Sequence, residues 1–179
     1  MIHNDSSARP RVLIFTGEGK GKTTAALGMA LRAVGHGLRA CVIQFVKAEG
    51  TGEAMAGKSL PGLEIVQTGL GFVPPPAHKR FTAHAQAAQQ GLALAEQKIA
   101  SGQYALVVLD EVCVAVDRGL LAAADVAAVV AKAPANMVIV LTGRGAPPEL
   151  VELADTVTEM RCVKHGMEIG IKAQKGVEF

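Results

Sequence analysis

The sequence predicts an α/β domain whose parallel sheet is covered by helices on both faces. Short runs that are apolar nearly throughout alternate with helix-length segments, as expected of strands buried on both sides. Polar and glycine-bearing residues gather just after those runs, where the ligands of open parallel sheets sit. At 179 residues the chain suits one domain that buries about two-thirds of its unfolded surface. Residues 1–10 are polar and read as a disordered tail, so the folded domain is expected to span 11–179.

Taken in order, the first strand is expected over 11–16 and a helix over about 22–34, ending near Gly35 and Gly37. Residues 39–46 read as a buried second strand, 47–62 as a glycine-rich loop, and Leu63-Glu-Ile-Val66 as a short third strand. A loop over 68–80 carries Pro74-Pro75-Pro76. Phe81, Ala85, Ala88, Leu92, Ala95 and Ile99 then mark a helix over 82–101 by their spacing. Tyr104 to Leu109 and Met137 to Leu141 read as strands, with an alanine- and valine-rich helix at 122–133 between them. Pro147 suits a helix start, with Glu149 and Glu152 near its positive dipole end. Thr156 to Met160 closes the main pattern, and 168–178 is expected to add a terminal strand or hairpin.

The chemistry begins at Thr16-Gly17-Glu18-Gly19-Lys20-Gly21-Lys22-Thr23-Thr24, between the first strand and the first helix. That context is what a phosphate-binding loop requires. Glycines allow turned backbone whose N–H groups converge on a phosphate, and the helix start adds free N–H groups and a positive dipole end. Lys22 offers the phosphates a point charge, and the Thr23 hydroxyl can ligate Mg²⁺. Thr16 stands where the usual eight-residue pattern has its first glycine.

A second motif is Asp110-Glu111, closing an apolar strand. Nucleoside triphosphatases use such an Asp to hold Mg²⁺, and the following Glu can ligate the metal or activate water. Arg144, in the glycine-flanked turn Thr142-Gly-Arg-Gly145, is placed to pair with a phosphate or with Glu111, or to stand solvated.

Composition narrows the classes. The net charge of +2, with signs interspersed, gives no footprint for nucleic acid. No apolar run approaches a membrane span, and the first residues lack the apolar core of a secretory signal, so a cytoplasmic domain is expected. Cys41, Cys113 and Cys162 are widely spaced in apolar or strand-like runs and read as small buried hydrophobes. His36, His78 and His84 show no ligand spacing and read as surface or helix-end residues. His165 lies beside Lys164 in a basic turn.

Several blocks occur together in one order: Gly17 to Thr24, Arg32-Ala-Val-Gly-His-Gly37, Gln44-Phe-Val-Lys47, Val108-Leu-Asp-Glu111, Thr142 to Gly145, Leu153-Ala-Asp-Thr-Val157, and Lys164-His165 leading to Gly170 through Phe179. In these blocks the chain resembles the corrinoid adenosyltransferases of the cobalamin pathway, which have a RecA-like phosphate-loop fold. The likeness covers about residues 11–179, and its carboxyl-terminal block is the most specific part. The absence of the first loop glycine agrees with that family.

The resemblance implies an unusual use of ATP. The 5′-deoxyadenosyl group passes to the Co(I) of a reduced corrinoid, in adenosylcobalamin biosynthesis or salvage, and triphosphate leaves. ATP is bound in reverse polarity to other phosphate-loop proteins. By motif match, Gly17, Glu18, Gly19, Lys20, Gly21, Lys22, Thr23 and Thr24 bind ATP. Thr23 and Glu111 hold Mg²⁺ or Mn²⁺, and Lys20, Lys22, Arg144 and the metal stabilise the departing triphosphate. The family displaces the lower axial ligand of cobalt with a Phe and a nearby Trp. Gly71-Phe72 matches the Phe position, the Trp position falls on about Pro74, and the chain contains no Trp. A homodimer and an electron-donating reductase are further implications.

Two rival readings stand beside this one. An ordinary ATPase or kinase of the same fold would use Glu111 to activate water or a hydroxyl and would release ADP. A nucleotide-dependent regulatory module would bind ATP with little turnover.

Overall fold

The computed structural model describes residues 9–48 and 50–177. The expected disordered tail lies outside them except for Arg9 and Pro10. Six parallel strands, β1 (Arg11–Thr16), β2 (Ala40–Gln44), β3 (Leu63–Gln67), β4 (Leu106–Asp110), β5 (Val138–Thr142) and β6 (Thr156–Glu159), form one sheet in the order β3-β2-β4-β5-β1-β6. Among the described residues, six α-helices connect the strands: α1 (Lys22–Gly35), α2 (Gly52–Gly57), α3 (Phe81–Ala100), α4 (Val112–Asp117), α5 (Ala123–Ala131) and α6 (Pro148–Leu153). This is a RecA-like arrangement in which β5 separates the phosphate-loop strand β1 from β4.

Strand residues alternate between two apolar layers, which explains the unbroken hydrophobicity of the runs. Val12, Ile14, Cys41, Ile43, Val107, Leu109, Ile139 and Leu141 face the layer packed by α3 to α6. Ala40, Val42, Leu106, Val108 and Val140 face the other, where Ala26 and Ala30 of α1 are fully buried. At the β3 edge, Lys98 donates to Glu64 at 2.6 Å, and the Tyr104 hydroxyl donates to the other oxygen of the same carboxylate.

Three expectations need correction, and one helix went unread. The stretch 47–62 is not all loop, because it contains α2. Thr51 caps that helix, its Oγ1 accepting from the Ala54 N–H at 3.4 Å. Six residues with glycine at both ends gave too short a periodic signal to read. Helix α4, whose valines carry no helical preference, begins immediately after Glu111. In α6 only Glu149 lies in the first turn, and Pro147 is the residue before the helix. The terminal strand or hairpin is absent among the described residues. A 3-10 turn at Gly166–Ile169 stands in its place, closed by Gly170 in the left-handed region, and the chain onward to 177 runs exposed without pairing to β6.

Because all strands are parallel, their carboxyl ends share one edge, and loop 68–80 is pinned there. The N–H groups of Thr68 and Gly69 both donate to the Gln44 carbonyl, and that of Gly71 donates to Val46. The approach is so close that a Cβ on Gly69 would lie 2.2 Å from the Val46 carbonyl carbon. Gly69→Ala should therefore destabilise the fold by about 1–3 kcal/mol, lowering the melting temperature by roughly 2–4 °C for each kcal/mol. Gly28→Ala, in the interior of α1 with open space around it, should match or exceed the parent in the same thermal melt.

Candidate active site

The phosphate loop leaves β1 at Thr16. That residue replaces the usual first glycine because it is still strand: its carbonyl accepts from the Met160 N–H at 2.8 Å and its Oγ1 from the Ala146 N–H at 3.4 Å. The next turns are crossed from outside by the chain leaving β6. The Gly19 N–H donates to the Met160 carbonyl at 2.6 Å. A Cβ on Gly17 or Gly19 would approach Met160 or Arg161 backbone to 2.5–2.9 Å. These two glycines are thus required by protein packing, whatever the loop also binds. The Lys22 ammonium, buried, donates to the carbonyls of Gly17 at 2.6 Å and Gly19 at 2.7 Å. Burial pushes its pKa down, a trend that the charge of Glu111 opposes.

Asp110 is the centre of the strand-end chemistry. It is 0% exposed, and both carboxylate oxygens are engaged. Oδ1 accepts from the hydroxyls of Thr23 and Thr142, each at 2.7 Å, and Oδ2 accepts from Gln44 Nε2 at 3.0 Å. Strand register makes this possible, since Gln67, Gln44 and Asp110 are paired across β3, β2 and β4. Gln67 continues the row by donating to Gln44 Oε1 at 2.8 Å.

Glu111 leaves this row in an unusual conformation. With φ 62° it is the one non-glycine residue of positive φ among the described residues, and its N–H donates to Thr142 Oγ1 at 2.8 Å. Burial raises its carboxyl pKa first, and the neighbouring Asp110 charge raises it further, against the pull of Lys22, Lys47 and Arg144.

A cleft of about 690 Å³ opens above these groups. Gly19 to Thr24, Glu111 and Arg144 line it, so most of the residues singled out in the sequence converge. Gly17 and Glu18 do not line it. Gly17 holds Lys22 from behind, and Glu18 pairs with Arg144 at 3.2 Å. Arg144 therefore meets Glu18 at the exposed rim instead of Glu111. Phe72 also lies outside the cleft lining and is 90% exposed on the pinned loop, with Leu70 two residues earlier 43% exposed.

Sequence reasoning put Lys47 at the carboxyl edge, with the polar residues that follow the strands, but missed the wall it forms with Thr51, Gly52 and Glu53, and the return of Gly176 and Val177 to the cleft. A capping threonine followed by an acidic residue two positions on was the available signal for the first. Burial pushes the Glu53 carboxyl up, but hydrogen bonds from Lys47, its own N–H and Gln44 outweigh that and bring it to about 2.

Other side chains read from sequence fall elsewhere. Cys41 and Cys113 are buried thiols, but Cys162 is exposed, because the segment after β6 lies outside both apolar layers. His84 is a helix-end residue as expected but buried, its pKa lowered by burial and then by Arg80 and His78. His165 Nδ1 accepts from the Met167 N–H at 3.2 Å and so caps the 3-10 turn.

The profile of the family described as ATP:corrinoid adenosyltransferase BtuR/CobO/CobP matches residues 8–179. The chain belongs to this family. It is 44% identical over 171 residues to the corrinoid adenosyltransferase of Pseudomonas aeruginosa, covering 94% of this chain and 83% of that protein. The corrinoid adenosyltransferase CobA of Salmonella typhimurium is 36% identical over 169 residues, covering 94% and 85% of the two chains. That of Escherichia coli K12 is 34% identical over 168 residues with the same coverage. Membership makes the chain an ATP-dependent transferase of corrinoid adenosylation. Among the described residues no helix is long and apolar enough to cross a membrane.

The electrostatics of Glu111 give a test that does not depend on turnover. A carboxyl whose pKa is raised on folding costs stability once pH exceeds its unfolded value near 4.5, and the cost grows until it ionises in the fold. Glu111→Gln should raise the melting temperature at pH 7 in metal-free buffer, by about 2–4 °C for each kcal/mol relieved. The advantage should vanish below pH 4.5. Calorimetric melts of parent and variant across this range check it.

Proposed function

We propose that the cleft binds ATP with its triphosphate on the Gly17–Thr24 loop and its C5′ turned toward a reduced corrinoid, to which the 5′-deoxyadenosyl group is transferred. The single observation that carries this reading is the convergence, on one cleft, of a phosphate loop, the Thr23–Asp110–Glu111 cluster and the carboxyl-terminal segment Gly176–Val177. Generic ATPases share the first two and lack the third block.

In this reading the cobalt electron pair forms the Co–C5′ bond, and the pair of the C5′–O bond departs with triphosphate. No phosphoryl group moves, so the protein needs no base to activate water. What it supplies is charge stabilisation for the leaving group. Lys22 provides this by exchanging the Gly17 and Gly19 carbonyls for phosphate oxygens. Lys20 lines the same cleft, and Arg144 at the rim exchanges Glu18 for the triphosphate.

The donor set fits Mg²⁺ or Mn²⁺. Thr23 and Glu111 offer hard oxygens, and the Glu111 carboxyl, raised by burial and then by the Asp110 charge, is disfavoured as an anion in a way that a cation would relieve. Thr23 and Glu111 would hold the ion, with Asp110 orienting the Thr23 hydroxyl from behind. Once bound, the ion neutralises charge on the triphosphate. The finer features of the reading include a homodimer, an electron-donating reductase and a cytoplasmic setting, where ATP is made and the three free cysteines stay reduced.

Product analysis tests the reaction. With ATP and chemically reduced corrinoid under anaerobic conditions, triphosphate should form one-to-one with a light-sensitive adenosylcorrinoid. Stoichiometric ADP with an unchanged corrinoid spectrum would identify an ordinary ATPase instead.

Phe72 is assigned to the corrinoid, as the ring that expels the lower ligand of Co(II). Its exposure on a loop fixed to the carboxyl edge supports this, and Leu70 extends the apolar face. Phe72→Ala should reduce the Co(II)-dependent rate by about tenfold or more, the scale of a lost aromatic contact. It should leave the rate with pre-reduced Co(I) and the ATP affinity near parent values. Equal losses with both cobalt states would reduce Phe72 to pocket packing.

A further inference from the structure

Lys47, just beyond β2, and Glu53, in the first turn of α2, line the same cleft as Lys22, Thr23 and Glu111. The Lys47 ammonium lies 2.7 Å from Glu53 Oε1 and 3.7 Å from Asp110 Oδ2. Its side chain is 30% exposed, so it is neither a solvated surface lysine nor a sealed one.

The two carboxylates that flank it are themselves immobilised. Gln44 Nε2 donates to Asp110 Oδ2 at 3.0 Å and to Glu53 Oε1 at 3.1 Å, which uses both of its hydrogens. Its carbonyl accepts from Gln67, whose Nε2 also reaches Thr51 Oγ1 at 3.1 Å. The Gln44 amide is therefore locked in one orientation, presenting donors to both acids. A lysine side chain ordinarily gives up about 2 kcal/mol of rotamer freedom when it is fixed. Here the fold has already paid much of that cost, which is the condition for a cation to add affinity for an anion. An ammonium has three N–H donors, and the two carboxylates, at 2.7 and 3.7 Å, engage at most two of them.

We propose that Lys47 is a further triphosphate-contacting lysine of this site, beside Lys20 and Lys22, meeting the part of the anion beyond the phosphate loop, and that Glu53 is the residue that positions it. This rests on the reading that the cleft holds a triphosphate. Lys22 approaches from the start of α1 and Lys47 from the end of β2, so the leaving group would be held from two elements that Asp110 ties together through Thr23 and Gln44. Glu53 touches no ligand in this scheme and acts through Lys47.

The probe is inorganic tripolyphosphate with Mg²⁺, titrated calorimetrically into the full chain. Lys47→Met should weaken binding about tenfold or more, as expected for a lost charge-assisted hydrogen bond, and Lys47→Arg should stay within about threefold. Lys47→Gln, whose amide can still bond Glu53 and Asp110, should lose affinity like Lys47→Met while melting with the parent. Glu53→Gln should lose about threefold to tenfold, and the double variant Lys47→Met with Glu53→Gln should bind no more weakly than Lys47→Met alone. Folded Lys47→Gln binding within twofold of the parent would reduce Lys47 to a structural tie and overturn the proposal. Additive losses in the double variant would overturn the positioning role of Glu53. Should the parent make ADP instead of triphosphate, adenosyl transfer falls while this titration still decides Lys47. A parent that does not bind tripolyphosphate overturns the proposal directly.

Discussion

The site depends on one buried carboxylate kept fully hydrogen-bonded. Asp110 has no contact with solvent, and its oxygens take donors from α1, β2 and β5. A hydrogen bond to a buried charged group contributes about 1.5–3 kcal/mol, so each donor is held in place by the penalty for leaving. This fixes Thr23, and with it the start of α1 and the exit of the phosphate loop. It also fixes Thr142, whose oxygen accepts the Glu111 N–H and so helps hold that residue in its left-handed conformation. A motif read as two adjacent acids therefore divides its labour. Asp110 organises the protein, and Glu111 is left facing the cleft with a carboxyl that burial and Asp110 disfavour as an anion.

The parts legible in the sequence were those encoded over a few consecutive residues. The β1–loop–α1 unit and the Asp110-Glu111 strand end each announce themselves locally, and near-continuous apolar strands implied the two-sided parallel sheet. What escaped was set by strand register. Nothing adjacent to Gln44 in the chain reveals that Asp110 and Gln67 are its cross-strand partners. Glu53 looked like a loop acid because a six-residue helix shows no period. Arg144 was placed at the right edge, but its partner Glu18 depends on how two turns face each other. The carboxyl-terminal segment misled by its apolar residues. Ile169, Ile171 and Val177 lie in the stretch expected to form a strand or hairpin, yet the turn at Gly166–Ile169 and the chain after it leave them exposed.

The shared blocks also differ in what they do. Asp155, in Leu153 to Val157, accepts from the Val12 N–H at 2.8 Å and pairs with Arg9, so it secures the start of β1 far from the cleft. Gly176 and Val177 reach the cleft itself. Blocks that occur together as one signature can thus be architectural in one case and cleft-lining in another, and only the three-dimensional arrangement separates them.

The crossing of Met160–Arg161 over Gly17 and Gly19 bears on how the protein matures during synthesis. The phosphate loop leaves the ribosome more than a hundred residues before Met160 and Arg161, the residues just beyond β6 that shape it. A growing chain therefore carries a finished nucleotide motif without a finished nucleotide site. Ligand binding can stabilise only a state already competent to bind, so ATP can give little help to the early stages of folding. The sheet must close on its own apolar layers first, and the nucleotide arrives as a ligand of the closed sheet.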